Sequence, residues 1–419
     1  MPYGKAMSET PGFPARRAAM RLLDAVLRRG DTLDQAMGSA TKELDNFADR
    51  ALARAIAAEV LRYLVDIDAL IDSATRKPLP EDAKARTVLR IMLAQWLRLA
   101  TPPHAIVATG LPLLQGGPRR LAHGVFSALV RRAVVLPRSP TLPEKVEARW
   151  GAEATNIASG LAVPPQVDLT LRNPDETQKW AERLDAISLA PGHLRLRRGV
   201  AIAELPGYAE GAWWVQDLAA SLPARLLGQG MGRKALDLCA APGGKALQLA
   251  AAGWDVTALD ISAKRLERLS DNAKRTGLTC TTVVANALEW KPEISFDAIL
   301  LDAPCTATGT CRRHPDVLHR IGERQIAEMA ELQAKLIKRA ASWLKPQGLF
   351  VYAVCSLEEE EGKAQIFPTS LSPDPIGPEE CPAVLISACS DNRITTHPGM
   401  RTEEGGVDGF FISRYHRAA

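Results

Sequence analysis

From residue 233 onward the sequence alternates five short apolar runs with amphipathic stretches, and that alternation leaves few folds open. The runs are "KALDLCA", "DVTALDI", "TCTTVVA", "FDAILLDA" and "GLFVYAV"; between them lie "GGKALQLAAAG", "SAKRLERLSDNAKRTG" and "RQIAEMAELQAKLIKRAASWL". Strands this apolar are buried on both faces and need helices to cover them, so the pattern predicts a parallel, doubly wound sheet. Right-handed crossovers place every strand's C-terminal end on one edge, where such sheets bind ligands. Two cysteines fall on that edge: Cys305 in "LLDAPCTATGTCRRHPD" (300–316) and Cys355 in "VYAVCSLEEEEG" (351–362).

The first third reads differently. "PARRAAMRLLDAVLRRG" carries an apolar stripe at Ala19, Leu22, Leu23, Val26 and Leu27 and stops at Gly30. "FADRALARAIAAEVLRYLVDIDALIDSA", "DAKARTVLRIMLAQWLRLA" and "RRLAHGVFSALVRRAVV" continue the helical pattern, which predicts a helical bundle over 1–135. "VVLPRSPTLPEK" is Pro-rich and reads as a linker at 136–145. A mixed segment over 146–230 holds "QVDLTLRN", "HLRLRRG" and "WWVQDL" as strands, ahead of the α/β part at 231–419. Residues 1–135 carry 20 Lys and Arg against 13 Asp and Glu, whereas the rest carries 32 against 35. A basic face of this kind suits a polyanion or a solvated helical surface equally, and charge alone does not choose.

No run of eighteen apolar residues occurs, and "MPYGKAMSETPGFPARRAAM" lacks the apolar core of an export signal, so a cytoplasmic chain without a membrane span is expected. The seven cysteines, odd in number and without framework spacing, are then expected to be free thiols.

"LDLCAAPGGKALQLA" (236–250) is a strand, a Gly-rich turn and a helix start. Gly243 and Gly244 let the backbone approach a ligand closely, and the helix N-terminus offers unpaired N–H groups. Neither GxGxxG nor GK[ST] is present, which disfavours a pyrophosphate. Asp260, at the end of the next strand, can accept the hydroxyls of a ribose or, with Ser262, cap the following helix.

For the two edge thiols, a zinc site built on Cys305, Cys311 and His314 lacks a second pair of ligands, and no CxxC redox pair exists. Cys280, Cys381 and Cys389 read as buried packing residues, and Cys239 as part of the turn. Nucleophilic catalysis remains. Carbon 5 of cytosine cannot take a methyl group directly; a thiolate adding to carbon 6 makes it nucleophilic and divides one hard step into easier ones. A carboxyl must then serve N3, and a second thiol or another base must help release the product.

In order, "LDLCAAPGGKA", "LDIS", "LLDAPCTATGTCRRHPD", "YAVCSLEEEEG" and "EEGGVDGFF" resemble the motifs of the RNA 5-methylcytosine methyltransferases of the NOL/NOP/Sun family. "WWVQDLAASLPARLL" resembles the segment preceding that family's catalytic core, and the helical first third resembles the NusB-like domain of its bacterial, Sun-like branch. The resemblance implies an all-α NusB-like bundle followed by an α/β Rossmann-like methyltransferase domain that uses S-adenosyl-L-methionine. It implies Cys355 as the nucleophile, Cys305 as the thiol that assists release, and Asp302 as the carboxyl near base and methyl donor. The cofactor residues it implies are Cys239, Ala240, Ala241, Pro242, Gly243, Gly244, Lys245, Asp260, Asn286 and Asp302, with no metal. The implied partner is structured RNA, with small-subunit ribosomal RNA expected and transfer RNA the alternative, and the chain is expected to be a monomer. A non-catalytic assembly factor is the alternative class; intact Cys305, Cys355 and Asp302 speak against it.

Three positions depart from the family pattern. Asn286 stands where an Asp is usual, yet keeps both a donor and an acceptor for an adenine edge. "VCS" replaces the commoner "TCS", and the Pro-rich 367–383 reads as a loop.

Overall fold

The structure, a computed structural model, describes residues 11–162, 165–196 and 201–418. The extreme N-terminus read above for an export signal (1–10) and the end of "HLRLRRG" (197–199) lie outside them. The described chain forms two compact units, Met1–Ala162 with Arg313–Arg320, and Val163–Arg312 with Ile321–Ala419.

The first unit is helical. α1 (Phe13–Asp24) runs into a π-helical turn that ends at Gly30, whose φ of 75° only glycine adopts without cost. α2 (Leu33–Ala40) opens with a capping box between Thr32 and Gln35. The long apolar segment after it is two helices, α3 (Phe47–Arg62) and α4 (Leu64–Ser73), because Tyr63 leaves the helical conformation. Its ring lies under the Arg98 guanidinium, 4.6 Å away, and its hydroxyl donates to the Arg138 carbonyl. α5 (Lys84–Leu97), α6 (Pro103–Gly110) and α7 (Gly116–Arg131) complete the bundle around Leu22, Ile56, Leu61, Leu89, Met92 and Phe126.

α8 (Glu144–Trp150) and α9 (Ala154–Leu161) also belong to this unit, so the division falls at 162/163 and not in the Pro-rich stretch read as a linker. Buried Glu59 supplies the reason. Its carboxylate accepts from Arg62 (3.0 Å) and Arg98 (2.8 Å), and those arginines donate onward to the carbonyls of Leu161 and Ala162.

In the second unit, β1 (Asp168–Leu171), α10 (Thr177–Arg183), β2 (Ile187–Ala190), β3 (His193–Arg195) and β4 (Trp213–Val215) give an antiparallel sheet of order β2-β3-β1-β4. Buried Arg195 forks onto Asp168 at 2.6 and 2.7 Å. α11 (Leu218–Arg225) leads into the alternation expected from the sequence: β5 (Lys234–Leu238), α12 (Gly244–Ala251), β6 (Asp255–Asp260), α13 (Ala263–Thr276), β7 (Thr281–Val284) and β8 (Phe296–Asp302). α14 (Val317–Arg320) groups with the helical unit, where His319 Nε2 lies 2.7 Å from the Leu61 carbonyl. α15 (Glu323–Trp343) and β9 (Leu344–Val354) return to the sheet, whose parallel core has the order β7-β6-β5-β8-β9.

The C-terminal strands were not legible in advance. β10 (Leu371–Pro373) lies inside the segment read as a loop, followed by β11 (Cys389–Ser390), β12 (Arg393–Thr396) and β13 (Phe410–Arg417). β13 is antiparallel to β9; on its other side β12 pairs with residues up to Ser413 and β10 takes the next stretch, Tyr415 to Arg417. A backbone ladder left open there would be unsatisfied, which overrides the loop-like composition. The structure also corrects the expectation of free thiols throughout: Cys381 and Cys389 form a disulfide, while Cys239, Cys280, Cys305 and Cys355 remain thiols. No described helix is long and apolar enough to cross a membrane.

Glu59→Ala removes the carboxylate shared by two arginines in a buried site, a change expected to cost about 3 kcal/mol. Urea denaturation followed by circular dichroism checks this; a loss under about 1 kcal/mol would mean that the Leu161 and Ala162 carbonyls suffice.

Candidate active site

The parallel strands β7-β6-β5-β8-β9 bring Asn286, Asp260, Cys239, Asp302 and Cys355 to a single sheet edge, each at or just past its strand's C-terminal end. Cys239 turns the chain out of β5 at a φ of 60°, unusual for a side chain with a Cβ. The turn 240–243 follows, and Gly243 closes it at a φ of 111°; a Cβ there would lie 2.6 Å from Leu269 Cγ. Asp260 is buried and accepts from the N–H groups of Ala241 (3.2 Å) and Ser262 (2.9 Å). Arg265, 3.4 Å from the Asp260 carboxylate, also reaches the Ala241 carbonyl, so the glycine turn and the β6–α13 turn hold each other. A carboxylate has about four lone-pair sites, which leaves Asp260 capacity for ribose hydroxyls.

Asn286 is occupied in turn closure. Its Oδ1 accepts from Leu288 N and its Nδ2 donates to Glu289 Oε1, both at 3.0 Å. An Asp at this position would set two carboxylates against each other, a physical reason for the departure noted in the sequence.

Beside the glycine turn lies a partly buried set of charges. Lys245 Nζ donates to Asp302 Oδ2 at 2.7 Å and sits 5.4 Å from the Phe410 ring centre. Burial alone would lower the Lys245 pKa, but the charge and hydrogen bond of Asp302 outweigh it and the ammonium is held charged. Asp237 is fully buried and neither of its oxygens has a hydrogen-bond partner among the described residues. Burial, reinforced by the Asp302 charge, pushes its carboxyl well above the usual range.

The sulfurs of Cys305 and Cys355 are 3.4 Å apart, both half-buried. The Cys305 thiol is raised well above the ordinary value, first by its hydrogen bond with Cys355, then by burial and by the charges of Cys355 and Glu361. Burial, with Asp302 and Asp260 nearby, lifts Cys239 to about 12, so that thiol is inert at physiological pH.

The loop after Cys305 is wedged between two other segments. Gly309 N donates to the Cys355 carbonyl (3.0 Å), and Gly409 N donates to the Gly309 carbonyl (2.8 Å). Buried Arg312 ties the same loop to Asp217 and Asp408 at 3.2 and 3.3 Å. The "EEGGVDGFF" stretch therefore serves to pin the Cys305 loop.

All the catalytic and cofactor positions expected from the sequence (239–245, Asp260, Asn286, Asp302, Cys305, Cys355) thus lie on this edge or the turns it carries. His314 does not: it belongs to the helical unit, with Nδ1 3.5 Å from Asp34. Among the described residues no His, Cys, Asp and Glu cluster could hold a metal ion. Sequence reasoning missed Asp237 and Glu361, although an Asp inside the apolar run "LDLC" was a visible signal for the first.

Comparison with known proteins agrees with this layout. Residues 225–415 match the family model described as 16S rRNA methyltransferase RsmB/F, and residues 14–114 match the NusB family. The chain is 33% identical to ribosomal RNA small subunit methyltransferase B of Xylella fastidiosa (strain Temecula1), over 96% of this chain and 98% of the relative. It is 31% identical to the protein of the same name from Salmonella arizonae, over 95% and 97%. Among solved structures it is similar in fold to PH0851 (TM-score 0.70, 21% identity, 98% of this chain and 100% of that one). It is also similar in fold to NSun6 from Pyrococcus horikoshii with SFG (TM-score 0.56, 18% identity, 66% and 98%).

A Cβ on Gly309 would lie 2.0 Å from the Gly409 carbonyl oxygen. Gly309→Ala must therefore push the Cys305 loop away from the Gly409 strand, and methyl transfer to RNA should fall by about 100-fold. A filter-binding assay of methyl incorporation checks this; wild-type rates would mean that the loop's position is immaterial.

Proposed function

We infer the function from one premise: the chain belongs to the 16S rRNA methyltransferase RsmB/F family. It is an rRNA methyltransferase with S-adenosyl-L-methionine as cofactor, which supplies an electrophilic methyl group when bound. The residues suited to hold it are the turn 239–245 and Asp260, with Asn286 keeping one amide N–H and one lone pair beyond its turn contacts. The glycine turn leaves no Cβ in the way, and Asp260 has lone pairs to spare.

We propose that the methyl acceptor is carbon 5 of a cytosine in 16S rRNA, activated by a covalent bond from Cys355. The single observation that carries this reading is the pair of thiols in contact at 3.4 Å beside the Lys245–Asp302 ion pair. The Cys355 thiolate adds to carbon 6, and the ring electrons move toward N3 and O2. The Lys245 ammonium, which Asp302 keeps protonated and oriented, stabilises the negative charge that develops on the ring. Carbon 5, now enamine-like, takes the methyl group.

Release requires a base at carbon 5, and Cys305 gains that capacity through the attack itself. The hydrogen bond and charge that raise its pKa come largely from Cys355. Once the Cys355 sulfur is bonded to carbon 6 that charge is gone, and Cys305 gives up its proton to solvent more readily. Its thiolate then removes the carbon 5 proton, the carbon 5–carbon 6 double bond re-forms, and the Cys355 thiolate leaves. The names of the relatives favour ribosomal over transfer RNA as the substrate, and the basic helical part is suited to hold its phosphates.

The two thiols should fail differently. Cys355→Ala should abolish methylation and any covalent complex. Cys305→Ala should still attack and transfer methyl, then stall as a protein–RNA species visible on a denaturing gel. A stalled adduct with Cys355→Ala alone would reverse the roles, and wild-type turnover in either variant would exclude a two-thiol mechanism.

A further inference from the structure

Four glutamates follow the Cys355 turn, at 358–361, and they do not share one environment. Glu359 and Glu360 differ from Glu361 in kind: Glu359 is exposed, as a run of charges on a surface should be, but Glu361 is completely buried. No lysine, arginine or histidine forms an ion pair with Glu361 among the described residues. Its carboxylate is instead filled with neutral donors. Oε2 accepts from Thr306 N and from Gln333 Nε2, each at 2.9 Å, while Oε1 accepts from Ser356 Oγ at 2.8 Å and from the Thr306 hydroxyl.

Those donors are not scattered. Thr306 is the residue after Cys305, and Ser356 is the residue after Cys355. Gln333, itself buried on α15, also donates to the carbonyl of Pro304, the residue before Cys305, at 2.8 Å. The Ser356 hydroxyl lies 3.3 Å from that of Thr306 and 3.2 Å from that of Thr308. The Glu361 carbonyl accepts from Tyr352 OH at 2.6 Å, which anchors the glutamate to β9. The side-chain links between the two cysteine turns on this side thus converge on Glu361 and the hydroxyls around it.

We propose that Glu361 is a positioning residue whose carboxylate ties the turn of Cys305 to the turn of Cys355 and fixes the approach of the two sulfurs. A carboxylate does this where an amide or hydroxyl cannot, because it accepts on both oxygens from several donors at once. Its charge acts in the same direction. Burial raises the Glu361 carboxyl above the usual range against the opposing donors of Thr306, Ser356 and Gln333, and the Glu361 charge adds to the elevation of the Cys305 thiol. The proposal rests on the two-thiol reading of the site, but the sulfur-to-sulfur geometry can be tested without it.

Diamide oxidises two neighbouring thiols to a disulfide and is itself reduced to the hydrazine, so closure of the Cys305–Cys355 bond reports their approach independently of catalysis. In the full-length protein, closure followed by peptide mass should slow by about tenfold in Glu361→Ala. In Glu361→Gln, which keeps the shape and one acceptor oxygen, it should slow less. Methyl transfer should follow the same order, with kcat lowered by about 100-fold and about 10-fold respectively and KM for RNA little changed. Far-UV circular dichroism shows whether each variant is folded; if Glu361→Ala is not, Glu361→Gln decides. A folded variant that closes the disulfide at the wild-type rate overturns the proposal, even if its turnover is lost. A wild-type protein that closes the bond rapidly but does not methylate cytosine would instead count against the proposed reaction and leave the positioning role standing.

Discussion

The 3.4 Å contact between two sulfurs depends on β8 and β9 being neighbours in a parallel sheet. Parallel neighbours end on the same edge, so the turns leaving Asp302 and Val354 emerge side by side. A thiol three residues past one strand and a thiol one residue past the other then meet. Nothing in either turn alone would bring them together. The long α15 crossover that makes β8 and β9 parallel is therefore as much a part of the site as the cysteines, and it also delivers Gln333 beside them.

Two chemically identical groups in contact need a reason to behave differently, and their surroundings provide it. Cys355 feels the Lys245 ammonium, which Asp302 keeps charged; Cys305 feels the buried Glu361 carboxylate and the negative charge of its neighbour. In a partly buried site water screens such differences only in part.

Much of this was readable from the sequence because the signals are local. An apolar run followed by a Gly turn, or by "APC", fixes a strand end and the residues that stand on it, and strand ends share an edge by topology. The features that sequence reasoning lost were non-local. Glu361 is one of four consecutive glutamates and is set apart only because the fold buries it, and Gly309 is constrained only by the approach of Gly409. The strand Leu371–Pro373 has the composition of a loop and forms only because β13 offers it an open ladder. The Pro-rich stretch at 136–145 failed as a boundary for a related reason, since Glu59 and its arginines fasten the end of α9 to the bundle.

The central claim is that one of the two thiols, Cys355, bonds to the base while the other does not. RNA carrying 5-fluorocytidine tests this directly, because fluorine blocks the final elimination and traps the covalent species in the wild-type protein. Digestion and mass mapping of the trapped complex should place the modified nucleotide on the peptide bearing Cys355. A nucleotide attached to Cys305, or no covalent species under conditions where unmodified RNA is methylated, would contradict the account.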